Sequence, residues 1–426
     1  MKEIVVNGVN EKYYYDECEC GLPIYMWVND KVNNFYVTLN CKYGSLDTEF
    51  KLSGDKKFTK VLDGIAHFLE HVNFSMPGDI DATDYFSKLG ASCNAFTTYE
   101  FTSYEVFASS YFKENIDHLL NYVYSPNFTK KNVDKEKGII VEEVKMGENN
   151  ASHIFYYGAS EGIYVKDKRK VLVTGNVDDV KSTTADDLNL VYDNFYHPKN
   201  MFIVITGNFN PYEAVAIIKE NLASKTFKEY RNPIKKREKE PINVNVAFKE
   251  EEGNVEIPKL KVTYKMDRNN FKNISDLELR IYLGMILRNN FGATSLFKEH
   301  LLENDLVTAL SYEREVNDNV VIISVVSETK YPTEVIDKIR EQMKKLVITE
   351  EDLVRRRRCN IASLINDFDD IEYVNSEIQD SLITYGELKT NMYDVYNNCK
   401  LEVALDIVKN IDMQNEAVFI LKPQKK

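Results

Sequence analysis

The sequence predicts a mixed α and β protein built of two successive domains. Its 426 residues are enough for two ordinary cores. Strand-like and helix-like patterns follow one another in the first half, and the same order recurs in the second. Between the halves, Ser224 to Val246 is dense in charge and carries Pro233 and Pro241, the composition of a joint. The expected division is therefore residues 1–225, a linker at 226–246, and residues 247–426.

The elements can be justified in chain order. Ile24–Val28 is a short apolar run, and Phe35–Tyr43 alternates as an edge or half-buried strand does. Gly64–Phe74 reads as a helix, because Ile65, Phe68, Leu69 and Val72 recur at spacings of three and four; Asp63 stands where it could cap the first turn. A loop with Pro77 and Gly78 leads to a second helix around Asp81–Leu89. Ala91–Ser109, rich in Thr, Tyr, Phe and Val, predicts a hairpin turning near Tyr99–Phe101. Lys113–Val123 and Asn132–Met146 have helical periodicity, and Met201–Gly207 is a strand preceded by the Phe195–Asn200 turn. In the second half a strand (Leu260–Lys265), helices (Ile274–Arg288 and Ser295–Leu302), a hairpin (Val307–Val326), helices through Thr333–Thr384 and a strand (Ala417–Leu421) repeat the order. Tyr13–Tyr15 is compatible with packing or with a flexible arm.

Composition excludes several classes. Lys and Arg number 54 against 67 Asp and Glu, a formal charge of −13, so binding to nucleic-acid phosphates is not expected. No window approaches the roughly 20 apolar residues of a spanning helix. Met1–Tyr15 holds Lys2, Glu3, Glu11 and Lys12 without an apolar core, unlike a secretory signal. The six cysteines are too sparse for a disulfide framework, and the Cys18–Cys20 spacing is not that of a CxxC motif; reduced thiols in a cytoplasmic protein are the expectation.

Chemistry concentrates in His67-Phe68-Leu69-Glu70-His71. Residues four apart share a helix face, so both imidazoles can reach one ion. Glu70 lies at the margin of that face, where it can take a proton without being a ligand. A catalytic zinc needs three protein ligands and one open position, so a third donor must come from elsewhere. Glu136 and Glu143 are seven residues apart, about two helical turns, and share a face. Glu143 is assigned as the ligand of a single zinc and Glu136 as a carboxylate that steadies a histidine or its neighbours. Glu142 points roughly 100° away. Of the other histidines, His118, His153 and His300 lack metal-type neighbours, and His197 fits a structural turn beside Pro198 and Asn200. The Arg355–Arg358 run follows Glu350, Glu351 and Asp352 and reads as a helix whose arginines partly pair with those acids.

Asp63-Gly64-Ile65-Ala66-His67-Phe68-Leu69-Glu70-His71 resembles the active-site helix of the insulinase–pitrilysin family, the inverzincins. Three further segments resemble that family in order and spacing: Leu89–Thr97 its substrate-binding edge strand, Glu136–Val144 its two-glutamate helix, and Phe195–Met201 the turn before the last strand of its first domain. The chain looks most similar to a bacterial subgroup, akin to mitochondrial processing peptidase, associated with peptide and bacteriocin maturation. The resemblance implies two homologous α+β domains, each an antiparallel-rich sheet with helices packed on one face, the second without a metal site. It implies a zinc endopeptidase that takes short or unfolded peptides as an added strand, with Asn94 and Ala95 meeting the substrate backbone.

One departure matters. Active members carry an Arg and, seven residues on, a Tyr in the second domain; Leu301 and Thr308 occupy those positions here. Neither side chain can do the same work. The resemblance therefore implies a heterodimer in which a family partner supplies the Arg and Tyr, a homodimer being the other arrangement. The competing readings are a catalytically silent structural subunit and a peptide-binding module that does not cut.

Overall fold

A computed structural model describes residues 1–78 and 80–424. Contacts group the chain into two compact units: Met1–Val144 with Leu172–Arg237 and Ser363–Tyr393, and Lys145–Val171 with Glu238–Ala362 and Asp394–Lys426. This differs from the single cut expected at 226–246, because each half of the sequence contributes a stretch to the other unit.

The first unit is organised by one sheet. Across it lie Lys2–Val6, Glu11–Glu17, Pro23–Val28, Met201–Gly207, Phe35–Cys41, Thr102–Ala108 and, at the edge, Ser92–Thr97. All neighbours are antiparallel except Pro23–Val28 with Met201–Gly207. Phe35–Cys41 was expected at an edge or half-buried; it is central and buried along its whole length. Both its faces are covered. Val37, Leu39 and Cys41 join the main core with Phe68, Leu69 and Val72. Tyr36 points the other way, into a second cluster with Trp27, Phe202, Val204, Val374 and Ile378.

That second cluster brings the helix Ile371–Tyr385 into this unit. Its polar residues make the docking specific: Thr38 Oγ1 donates to Asn375 Oδ1 at 2.7 Å, and Gln379 Nε2 donates to Thr38 Oγ1 at 2.9 Å. Buried polar groups satisfied in this way fix one register, whereas apolar contact alone would permit several. Tyr13 packs in the same cluster, so the Tyr13–Tyr15 run is structural. The expected linker is also anchored. Pro233–Lys235 pairs as a strand with Glu49–Leu52, and Lys235 and Arg237 reach the buried Asp47 at 2.7 and 2.8 Å.

The second unit has a sheet ordered Phe248–Gly253, Glu416–Pro423, Lys259–Asp267, Val320–Glu328 and Ala309–Val316. The helix Ala151–Ile163 packs on Glu416–Pro423, where Gly158 lies so close to the Phe419 ring that a Cβ would stand 2.5 Å from it. Helices Asp276–Phe291 and Leu296–Glu303 precede the hairpin, as sequence order predicts. Asp276–Phe291 buries Leu279, Leu283, Met285, Ile286 and Leu287; the apolar side chains stand in the helix that precedes this hairpin, as the histidine pair does in the first unit.

Candidate metal centre

The helix Ile65–Asn73 begins at Gly64, whose φ of 82° is left-handed. A Cβ there would lie 2.3 Å from the Thr174 carbonyl oxygen, so glycine permits both the turn and the close approach. Gly64, not Asp63, therefore takes the N-cap position, without a side-chain cap bond. Ile65, Phe68, Leu69 and Val72 are buried and fix the rotation of the helix. Its other face presents His67, Glu70 and His71.

Glu143 comes to these residues from the helix Lys130–Glu148. One donor atom from each of His67, His71 and Glu143 lies within 4.8 Å of the others. His67 Nε2 is 3.6 Å from Glu143 Oε1, and His71 Nε2 is 3.5 Å from Glu143 Oε2. These separations exceed a good N–H···O bond. They match the roughly 3.4 Å between neighbouring ligands of a tetrahedral zinc with bonds near 2.1 Å. The donor set, two imidazoles and a carboxylate, is one that zinc accepts. Glu143 rather than Glu142 stands in the group.

The electrostatics are uneven. Burial, reinforced by the neighbouring His71, pushes His67 down to about 4 against the attraction of Glu143, which keeps its ring a neutral donor. Its Nδ1 is buried without a hydrogen-bond partner. Burial also disfavours charge on His71, but Glu136 and Glu143 outweigh it and raise that ring to about 9. Positive charge is thus stabilised between His71 and the two carboxylates. Glu136 is itself buried, with Oε2 3.5 Å from His71 Nδ1, on the nitrogen turned away from Glu143.

Glu70 is buried, and burial raises its carboxyl to about 7; Glu143 and Glu105 add to the rise, while Thr97 and His71 oppose it. Thr97 Oγ1 donates to Glu70 Oε2 at 2.7 Å. Nothing in the sequence marks Thr97 apart from the rest of the edge strand; only tertiary placement shows that it ties that strand to the carboxylate. In the strand itself, Asn94 is exposed opposite Glu105, and Ala95 is half-buried opposite Tyr104. Ser92–Thr97 is the last strand of its sheet, so one side of its backbone is free of sheet pairing among the described residues.

The residues set aside behave structurally. His118 Nε2 meets the Ala82 carbonyl at 2.9 Å, and His197 Nδ1 accepts from the Lys199 N–H at 3.1 Å, holding its turn. Arg355 pairs with Asp352 at 2.6 Å and Arg357 with Glu350 at 3.0 Å, as the charge pattern predicted. Leu301 is fully buried and Thr308 is exposed.

The profile of the family described as "Insulinase (Peptidase family M16)" matches residues 53–160, and that of the "Peptidase M16 inactive domain" matches residues 182–358. The chain belongs to the M16 insulinase family. Among M16 relatives, the uncharacterized zinc protease YmfH of Bacillus subtilis is 29% identical over 415 residues, 96% of this chain and 95% of that protein. The zinc protease PqqE of Helicobacter pylori is 25% identical over 198 residues, 44% of each chain. The crystal structure of an M16-like peptidase from Alicyclobacillus acidocaldarius superposes with a TM-score of 0.90 at 26% identity, covering 99% of this chain and 100% of that one. A protease structure from Helicobacter pylori, at 18% identity, shares the fold with a TM-score of 0.81, covering 97% of this chain and all of the other. No helix among the described residues is long and apolar enough to cross a membrane.

Proposed function

We propose that this chain is a zinc-dependent endopeptidase that cuts short or unfolded peptides, leader segments of precursors among them, in a chamber completed by a second chain of its family. One observation carries the reading: His67, His71 and Glu143 converge beside a buried carboxylate that Thr97 joins to a free sheet edge. His67, His71 and Glu143 would hold one zinc. Bound zinc supplies a water acidified toward a pKa of about 7 and a Lewis acid for the scissile carbonyl. Glu70 accepts the proton of the attacking water and returns it to the leaving amine. Glu136 keeps the His71 ring in the orientation that turns Nε2 toward Glu143. A peptide laid against Ser92–Thr97 adds a strand, with its backbone at Asn94 and Ala95; such pairing reads main chain more than side chain and selects by size and disorder.

Leu301 and Thr308 favour a divided site, in which a family partner brings the Arg and Tyr that this chain lacks at those positions. The test mixes the purified chain with a quenched-fluorescent peptide library, alone and with an Arg/Tyr-bearing partner, with and without chelator. Chelator-sensitive cleavage that needs the partner is the expected result. Cleavage at an ordinary rate by the isolated chain would remove the divided site while keeping the peptidase. Absence of cleavage in every mixture, with one zinc bound per chain, would leave a peptide-binding or structural subunit.

A further inference from the structure

The loop between Glu11–Glu17 and Pro23–Val28 holds two thiols that the metal centre does not use. Cys18 N–H donates to the Leu22 carbonyl at 3.0 Å, and Gly21 N–H donates back to the Cys18 carbonyl at 2.8 Å. Gly21 has a φ of 88°, the left-handed conformation that lets the chain reverse so tightly. In an extended strand the side chains of residues two apart stand parallel; here Cys18 lies in the main core cluster and Cys20 packs against that same cluster, so both turn to one side of the loop. Each thiol acts electrostatically on the other, and the Leu22 N–H acts on Cys20 as well. Cys18 is buried and Cys20 is half-buried. No third His, Cys, Asp or Glu completes a metal-holding group with them among the described residues.

We propose that Cys18 and Cys20 form a reactive dithiol that exchanges with small disulfides of the glutathione class and closes to an internal disulfide. Cys20 is the attacking sulfur. Its thiolate attacks one sulfur of glutathione disulfide, forming a mixed disulfide and releasing one glutathione thiolate. Cys18 gives its proton to the released glutathione thiolate and attacks the Cys20 sulfur; the Cys18–Cys20 bond forms, the mixed disulfide breaks, and a second glutathione leaves as its thiolate, which takes a proton from water. Two protein thiols are oxidised and one glutathione disulfide is reduced to two glutathiones. Cys18 favours the Cys20 thiolate most, with the Leu22 N–H adding to it against burial, whereas Cys18 is itself pushed up. The neighbouring Lys219 ammonium, 2.6 Å from Asp16, favours the Cys18 thiolate in the second step. The other thiols lack this arrangement: Cys41 and Cys399 are buried, burial raises Cys93 to about 11, and Cys359 is exposed without a thiol neighbour in its turn.

The test uses the intact, reduced chain. It is exposed to glutathione disulfide, quenched with N-ethylmaleimide, digested with trypsin and mapped by mass. The expected product is the peptide Tyr13–Lys31 without maleimide and lighter by two hydrogens. It should form about tenfold faster than the mixed disulfide at exposed Cys359. Cys18→Ser should trap Cys20 as its glutathione adduct, and Cys20→Ser should leave Cys18 unmodified, with circular dichroism reporting that both variants fold. If wild-type Tyr13–Lys31 carries two maleimides after Cys359 has been converted, the proposal fails. It fails equally if either sulfur is found joined to another cysteine, and these wild-type results do not depend on any variant folding.

Discussion

Two buried charged clusters, one in each unit, are treated in opposite ways. In the second unit, Lys265 is fully buried and its three ammonium protons are all used, by Glu240 Oε1 at 2.5 Å, the Ile163 carbonyl at 2.9 Å and the Asn243 carbonyl at 3.0 Å. Glu240 in turn accepts from the backbone N–H groups of Val165, Lys166 and Asp167 at 2.7, 2.8 and 2.7 Å. Burial opposes both charges; the four hydrogen bonds nevertheless hold the Glu240 carboxyl below its ordinary range. In the first unit, His67 keeps a buried nitrogen unpartnered, and Glu70 is pushed toward neutrality. A buried charge with every valence satisfied fixes architecture, and one left short of partners marks a place where a ligand or a proton completes the set. The same criterion separates Lys265 and Glu240 from a catalytic pair, although both are buried and ionisable.

The contrast can be broken most decisively at Glu70. Replacing it with Gln keeps the volume and the Thr97 contact but removes the base, so peptide turnover should fall by about 10³-fold or more while zinc content stays at the wild-type level. Thermal stability should hold or rise, since a buried carboxylate disappears. A Gln variant with wild-type turnover would make Glu70 a structural acid and erase the distinction between the units. In the second unit the effect should lie on stability instead. Glu240→Gln leaves the Lys265 ammonium buried without its counter-charge, a loss of about 3–5 kcal/mol in urea unfolding. Adding Lys265→Met should recover most of that loss, because the unpaired charge is then gone. A negligible effect of the single change would show that the pair is not structural.

Two smaller effects sharpen the picture around the metal. Glu136→Gln should weaken zinc binding about 10–100-fold in competition with a chelator, leaving turnover near wild type once zinc is saturating. Thr97→Val should leave zinc affinity unchanged and lower turnover by about tenfold, since Glu70 loses the one hydrogen bond that ties it to the edge strand. If instead Thr97→Val weakens zinc and Glu136→Gln does not, the two supporting roles are exchanged.

Much of this was legible in the sequence where the information is local. The His67–His71 spacing, the Glu136–Glu143 spacing and the Ala91–Ser109 hairpin depend on periodicity within a few turns or strands; the structure brings His67, His71 and Glu143 together and pairs Ser92–Thr97 with Thr102–Ala108. What was not legible depends on partners far away in the chain. Thr38 and Asn40 alternate with Val37 and Leu39, the pattern of a half-exposed strand; their burial becomes tolerable only because Asn375 and Gln379 arrive to bond with Thr38. Glu240 lies in a run dense in Lys and Glu that reads as a solvated linker, and nothing local distinguishes it from Glu238. The helix Ala151–Ile163 was missed because Gly158 and Gly162 weaken its pattern, and the need for Gly158 arises at Phe419. Thr97 could have been suspected only by asking which strand must pass the base of the site.

The smallest expected effect is at Asp16, where the contrast between units reduces to exposure. Like Glu240, Asp16 is a carboxylate facing a lysine, with Lys219 at 2.6 Å and the Met1 amino group at 2.8 Å. Burial would raise its carboxyl, but these cations outweigh it and hold the group at about 2. A folded value below the ordinary value near 3.8 means that the pair stabilises the native state above about pH 4 and stops doing so as pH falls toward 2. Lys219 is 42% exposed, so solvent screening reduces the contribution to about 1 kcal/mol. Asp16→Asn should therefore lower the urea midpoint slightly at pH 7, and the gap from wild type should narrow steadily from pH 4 to pH 3. It should also shrink in high salt, to which the dry Glu240 pair should be nearly indifferent. Equal salt sensitivity at the two sites would show that water reaches Lys265, and with it that burial does not separate the two kinds of ion pair in this protein.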